Sequence, residues 1–111
     1  MSTAGEINIK DSGAVYCNGN FNCTNRIELS INSVAANPLQ AGIYAGGDIS
    51  ATYYIFQGKS QLFAGGNVTA TSSGSNGSFY TYDCGTNNTS APHIWILGDL
   101  NVGANQIYLK E

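Results

Sequence analysis

Ile43-Tyr44-Ala45-Gly46-Gly47-Asp48-Ile49-Ser50-Ala51 is the stretch on which the reading of this chain turns. Every second residue of it is apolar or glycine, namely Ile43, Ala45, Gly47, Ile49 and Ala51, while Tyr44, Asp48 and Ser50 fall on the opposite side. That period of two belongs to an extended strand with one buried face. The order is aliphatic, aromatic, small or aliphatic, any, Gly, Asp or Asn, apolar, polar, small apolar. It returns without gaps in residues 15–23, 62–70 and 94–102. Four copies in 111 residues mark a repeated structural unit.

The inward side of the first copy reads Val15, Cys17, Gly19, Phe21, Cys23, and the third and fourth read Leu62, Ala64, Gly66, Val68, Ala70 and Ile94, Ile96, Gly98, Leu100, Val102. A glycine at the centre of each copy (19, 47, 66, 98) predicts a corner between two short strands, where a side chain would crowd the interior or the backbone must bend. The outward side carries one aromatic column (Tyr16, Tyr44, Phe63, Trp95) and two polar ones (Asn20, Asp48, Asn67, Asp99, then Asn22, Ser50, Thr69, Asn101). Stacked at ~4.8 Å, these become ladders. The Asx after each glycine is expected to cap its own turn.

Between copies lie further alternating runs rich in β-branched and aromatic residues: Arg26–Ile31, Tyr53–Phe56, Phe79–Tyr82 and Gln106–Leu109. Turn-forming stretches separate them, and only Ser33–Ala36 reads as a helical turn. The central glycines are 28, 19 and 32 residues apart, so the shortest interval approximates a minimal coil and the others carry loop insertions. The expected fold is all-β. It is a single domain over residues 1–111: a short β-solenoid or β-prism of about four rungs. So few rungs bury little apolar area per residue and leave open edges. Association into an intertwined or side-by-side homotrimer, covering Tyr16, Tyr44, Phe63 and Trp95, is therefore expected; a monomeric sandwich is the alternative.

Composition narrows the function. Only 10% of residues are charged, and four basic against seven acidic residues leave a net charge of −3. That is no footprint for nucleic acid or an anionic membrane. No apolar run approaches the ~20 residues of a membrane span, and Met1–Glu6 does not read as a secretory signal. Asn, Ser and Thr, 13, 11 and 8 residues, give a neutral hydrogen-bonding surface. The five Asn-x-Ser/Thr sequons follow from that composition.

The fourth copy and its tail, Leu97-Gly98-Asp99-Leu100-Asn101-Val102-Gly103-Ala104-Asn105-Gln106-Ile107-Tyr108, resemble the Gly-Asp-Leu-Asn-Val-Gly segments of bacteriophage tail-fibre and tailspike proteins. Gly47–Ala51 and Gly66–Ala70 are weaker versions of the same segment. The resemblance covers about 60 residues in short pieces. It implies a trimeric β-helical module on a virion surface that attaches to the host, its partner a surface glycan or protein receptor, and possible membership of a longer fibre protein. Similar repeats occur in bactofilin-like bacterial scaffolds that polymerise in the cytoplasm. Irregular rung length, abundant aromatics and long loops suit a spike or tip better than a uniform filament.

Catalytic chemistry finds little purchase. Asp and Asn alternate after the repeat glycine, which a hydrogen-bonding corner tolerates and a carboxylate pair for glycan hydrolysis does not. The expectation is therefore no enzyme and no cofactor, with a depolymerising tailspike fragment as the third alternative. Cys17 and Cys23 occupy positions held elsewhere by Ala or by Ile and Val, so both are expected as small buried hydrophobes rather than a disulfide. Cys84 lies outside the repeat, and no metal-ligand spacing is present. His93, triplicated on a threefold axis, or an Asp48–Asp99 pair are the minor ion-binding readings. Tyrosine binds through a large rigid face with a polar tip. Tyr80, Tyr82 and Asp83, with Tyr53 and Tyr54, are accordingly the candidate glycan site, the tyrosines stacking on sugar rings.

Overall fold

The computed structural model describes residues 1–10, 13–30, 42–58, 60–72, 77–82, 93–102 and 107–109. Within them the chain is all-β. The strands are β1 (Ser2–Thr3), β2 (Ile7–Lys10), β3 (Ala14–Cys17), β4 (Phe21–Cys23), β5 (Ile27–Ser30), β6 (Gly42–Ala45) and β7 (Ile49–Ala51). They continue with β8 (Tyr54–Gln57), β9 (Gln61–Ala64), β10 (Val68–Ala70), β11 (Phe79–Tyr82), β12 (His93–Ile96), β13 (Leu100–Asn101) and β14 (Ile107–Leu109). The run Ser33–Ala36 lies outside the described residues.

Each repeat copy is a strand, a glycine corner and a second strand, and the run that follows supplies a third. Successive strands thus visit three sheets in turn. Sheet A is ordered β1-β4-β7-β10-β13, sheet B β14-β11-β8-β5-β2, and sheet C β12-β9-β6-β3. Every pairing in them is parallel. A parallel three-sided coil follows from the repeat: copies of one strand–corner–strand unit stacked in the same direction pair in parallel, and their alternating inward residues share one interior. Asn20-, Asp48-, Asn67- and Asp99-containing corners superpose, because β3, β6, β9 and β12 pair in register, as do β4, β7, β10 and β13.

The interior shows why the repeat alternates large and small residues. Sheet B points Tyr54, Phe56 and Phe79 inward, with Phe79 5.2 Å from Tyr54 and 4.8 Å from Phe56 between ring centroids. Cys23, Ala51 and Ala70 of sheet A and Ala45 and Ala64 of sheet C are buried in the same core, where their small size leaves room for those rings. Phe21, Ile27, Leu29, Ile43, Ile49, Leu62 and Val68 join them, all at 0% exposure. Each is worth about 1.5–3 kcal/mol against the exposed state.

Burial fades at the ends of the stack. Val15, Cys17, Ile94, Ile96 and Val102, expected inside, are only partly buried, and Leu100 is 37% exposed. Their equivalents in the middle copies are sandwiched between two coils, whereas these have one neighbour. The half-coil formed by β1 and β2 was not anticipated. Ile7-Asn8-Ile9-Lys10 alternates in the sequence, but β1 is two residues long and has no periodicity to read.

Candidate functional site

The three outer faces differ in chemistry. Sheet C presents Tyr16, Tyr44, Phe63 and Trp95 in lateral register. Tyr16 and Tyr44 stack at 4.9 Å with rings 11° apart. The Tyr44 hydroxyl donates to the Gln61 side-chain oxygen. The Tyr44 ring also lies over Gly42, where a Cβ would touch it, so glycine is what allows the ring to lie flat. Burial, and then the neighbouring Tyr16, raise the Tyr44 pKa. Tyr16 is 73% exposed and Trp95 47%, so the column is open at both ends. Tyr16, Cys17, Asn18, Tyr44, Gly46 and Phe63 border a shallow cleft of about 240 Å³ beside it.

Sheet A carries the polar columns, and its corner works differently from expectation. The Asn20 Oδ1 accepts from the Asp48 N–H at 2.8 Å, the Asp48 Oδ1 from the Asn67 N–H at 2.7 Å, and the Asn67 Oδ1 from the Asp99 N–H at 2.8 Å. Each Asx therefore caps the next coil rather than its own turn. The repeat glycine is explained by the same contact. A Cβ on Gly47, Gly66 or Gly98 would overlap that Asx oxygen of the preceding coil, while on Gly19 it would meet nothing within 4 Å. The glycine is thus required by an outside neighbour, not by a crowded interior. Asn and Asp serve equally because only a side-chain oxygen is used. One column over, the Ser50 hydroxyl donates to Asn22 Oδ1 at 2.8 Å.

Sheet B is mixed. Glu28, Ile55 and Tyr80 form one outward row. At its edge Arg26 bonds Glu6 at 2.6 Å and lies 3.5 Å from Glu28. It also donates to the Tyr53 hydroxyl at 3.4 Å. These bonds, that to Glu6 first, hold the guanidinium above its usual range. The cluster was missed in the sequence because Glu6 and Tyr53 lie 20 and 27 residues from Arg26, but Ile7 opposite Ile27 brings Glu6 beside Arg26.

Of the candidate glycan residues, Tyr53 and Tyr80 are half-buried, and Tyr80 sits beside Ile55. Tyr54 is a correction: it is fully buried, its hydroxyl donating to the Thr69 carbonyl at 2.9 Å and lying 3.3 Å from that of Ile49. Alternation from Tyr53 leaves one of two adjacent tyrosines facing inward, and the core takes the second. Asp83 and the Tyr82 side chain lie outside the described residues.

Asp48 and Asp99 are not brought together, since Asn67 stands between them in the corner column. Among the described residues no three His, Cys, Asp or Glu side chains converge on a metal-sized site. His93 is exposed with its ring edge-on to Trp95 at 5.5 Å. Cys17 and Cys23 are both free. Cys23 is buried as expected, its thiol donating to the Gly5 carbonyl at 3.0 Å, whereas Cys17 is only half-buried. Cys84 lies outside the described residues. No protein-family model, no curated protein and no solved structure matches the chain.

Proposed function

We propose that this chain is a non-enzymatic β-solenoid module of a viral fibre or spike, about four rungs tall, acting at the virion surface as a homotrimer in host attachment. One observation carries the reading: the outward aromatic column of sheet C, Tyr16, Tyr44, Phe63 and Trp95, in continuous register on a chain of low charge. Adjoining aromatics in one exposed strip are the kind of surface that marks an interaction site, and side-by-side association covers such a strip. A trimer of the 11.6 kDa chain has a mass of about 35 kDa, read by sedimentation equilibrium or native mass spectrometry. Phe63→Ser with Trp95→Ser is expected to give a folded monomer. A wild-type chain that stays monomeric at high micromolar concentration refutes the trimer.

A polymerising cytoplasmic scaffold is the second reading, favoured by β3 and β12 being the edges of sheet C among the described residues. Length-distributed filaments in the same experiment would select it. Receptor contact is assigned to sheet B, where Tyr53 and Tyr80 face outward ahead of Tyr82 and Asp83. Replacing Tyr80 and Tyr82 with Ala should abolish cell or glycan binding, and unchanged binding removes these residues from the reading. Release of sugar from a glycan would instead identify a depolymerising tailspike fragment.

A further inference from the structure

Asparagine is chemically labile when glycine follows it, because a residue without Cβ lets its backbone nitrogen reach the asparagine amide carbon. Asn18-Gly19 is such a pair, and the other described asparagines precede Ile, Phe, Cys, Arg or Val. Asn76, which also precedes a glycine, lies outside the described residues. Bonding separates Asn18 further. The Oδ1 atoms of Asn20, Asn22 and Asn67 accept from the Asp48 N–H, the Ser50 hydroxyl and the Asp99 N–H. No hydrogen bond holds the Asn18 side chain among the described residues.

Both Asn18 and Gly19 are exposed. The outward place itself gives Asn18 this exposure. Gly46, one coil up in the same column, has a coil on each side and is exposed as well. Asn18 is also the polar member of the rim around the sheet C cleft, where it stands with Tyr16, Tyr44 and Phe63.

We infer that Asn18 is a self-modifying site, which loses its amide to the neighbouring backbone and so places a carboxylate beside the sheet C aromatics. The Gly19 backbone nitrogen attacks Asn18 Cγ. The bond from Cγ to the amide nitrogen breaks, and ammonia leaves with the proton of the attacking nitrogen. Water then adds to either carbonyl of the resulting succinimide and opens it to aspartate or isoaspartate. Water is the one co-reactant. The product adds one negative charge to a chain of net charge −3. A carboxylate beside the aromatic strip loses its hydration when the strip is covered, and a threefold assembly brings three of them together. Conversion of the unassembled chain therefore lowers its capacity to associate, a consequence that rests on the lateral trimer proposed above.

The test is incubation of the dilute full chain at mildly alkaline pH, followed by peptide mapping in a mass spectrometer. Electron-transfer fragmentation separates isoaspartate from aspartate. Asn18 is expected to convert at least about tenfold faster than Asn22, Asn25 or Asn67, with isoaspartate among the products. Gly19→Ala should slow it at least about tenfold, since the methyl hinders the attacking nitrogen. Asn18→Asp, mimicking the product, should associate at least about tenfold more weakly in sedimentation equilibrium. The site is overturned by Asn18 converting no faster than the other three, by Gly19→Ala converting at the wild-type rate, or by aspartate as the sole product. Wild-type affinity in Asn18→Asp overturns the link to assembly. A fresh wild-type chain that is monomeric refutes the trimer instead, and conversion at Asn18 is read all the same.

Discussion

The corner glycines offer a within-molecule experiment on what the repeat is for. Alanine at Gly19 meets nothing within 4 Å and needs no unusual backbone, since the positive-φ glycines among the described residues are Gly5, Gly58 and Gly77. Its effect is the reduced freedom of the unfolded chain, a gain of about 0.4–1 kcal/mol. At Gly47 the same methyl displaces Asn20 Oδ1, which is the free end of a side chain and can swing away. Swinging away breaks the bond to the Asp48 N–H, about 1 kcal/mol, and Gly19 C and Asn20 N at 3.1 and 3.2 Å add strain. The unfolded-state gain offsets part of that, leaving a loss of about 0.5–1.5 kcal/mol. Gly46→Ala is worse, because its methyl strikes the Asn18 carbonyl of the coil below, and that backbone is tied by the Gly46 N–H to the Cys17 carbonyl at 2.8 Å. A fixed backbone cannot swing, so about 2–3 kcal/mol is expected. For a chain of this size ~1 kcal/mol moves the melting temperature by about 4 °C. Thermal unfolding followed by far-ultraviolet circular dichroism should rank the variants Gly19→Ala, wild type, Gly47→Ala, Gly46→Ala from highest to lowest. Equal destabilisation at Gly19 and Gly47 would refute the account, since the two differ only in whether a coil lies below.

The corner carboxylate and the buried tyrosine give further outcomes. Asp48→Asn should change stability by less than about 0.5 kcal/mol in denaturant titration, whereas Asp48→Ala, which removes the acceptor for the Asn67 N–H, should cost about 1 kcal/mol; an equal cost for both would mean that the carboxylate charge, not the oxygen, matters. Burial, aided by Cys23, raises the Tyr54 pKa far above the ordinary 10.0, so the neutral ring is the one the core accepts. That stabilisation is complete below pH 10 and is lost above it at about 1.4 kcal/mol per pH unit, with Tyr44 acting in the same direction. Tyr54→Phe should cost about 1 kcal/mol at pH 7 through the lost bond to Thr69 and make alkaline unfolding visibly shallower. An unchanged alkaline limb would remove Tyr54 as its source.

Strand identity, parity and the stacking of the four copies were legible in the residues themselves, because a strand's side chains alternate regardless of context and a glycine repeated at one phase marks one recurring corner. Ile43, Ile49, Leu62 and Val68 are buried as that parity requires. The sequence does not say how far each alternation is honoured. Val15, Ile94 and Leu100 satisfy the same pattern and are left partly open, since burial in a coil depends on having neighbours on both sides. Nor could it choose which of Tyr53 and Tyr54 enters the core, a matter settled by the register that sets Tyr54 beside the inward Ile27 and Phe56 beside Leu29. The role of the corner Asx lay equally out of reach. Its oxygen points to a backbone N–H between 19 and 32 residues away, and such a bond exists only once successive coils are superposed. Local periodicity thus determined which segments are strands and which side is apolar. Coil-on-coil contact alone decided why each internal corner must be glycine, because the Asx oxygen that a Cβ would displace comes from another coil.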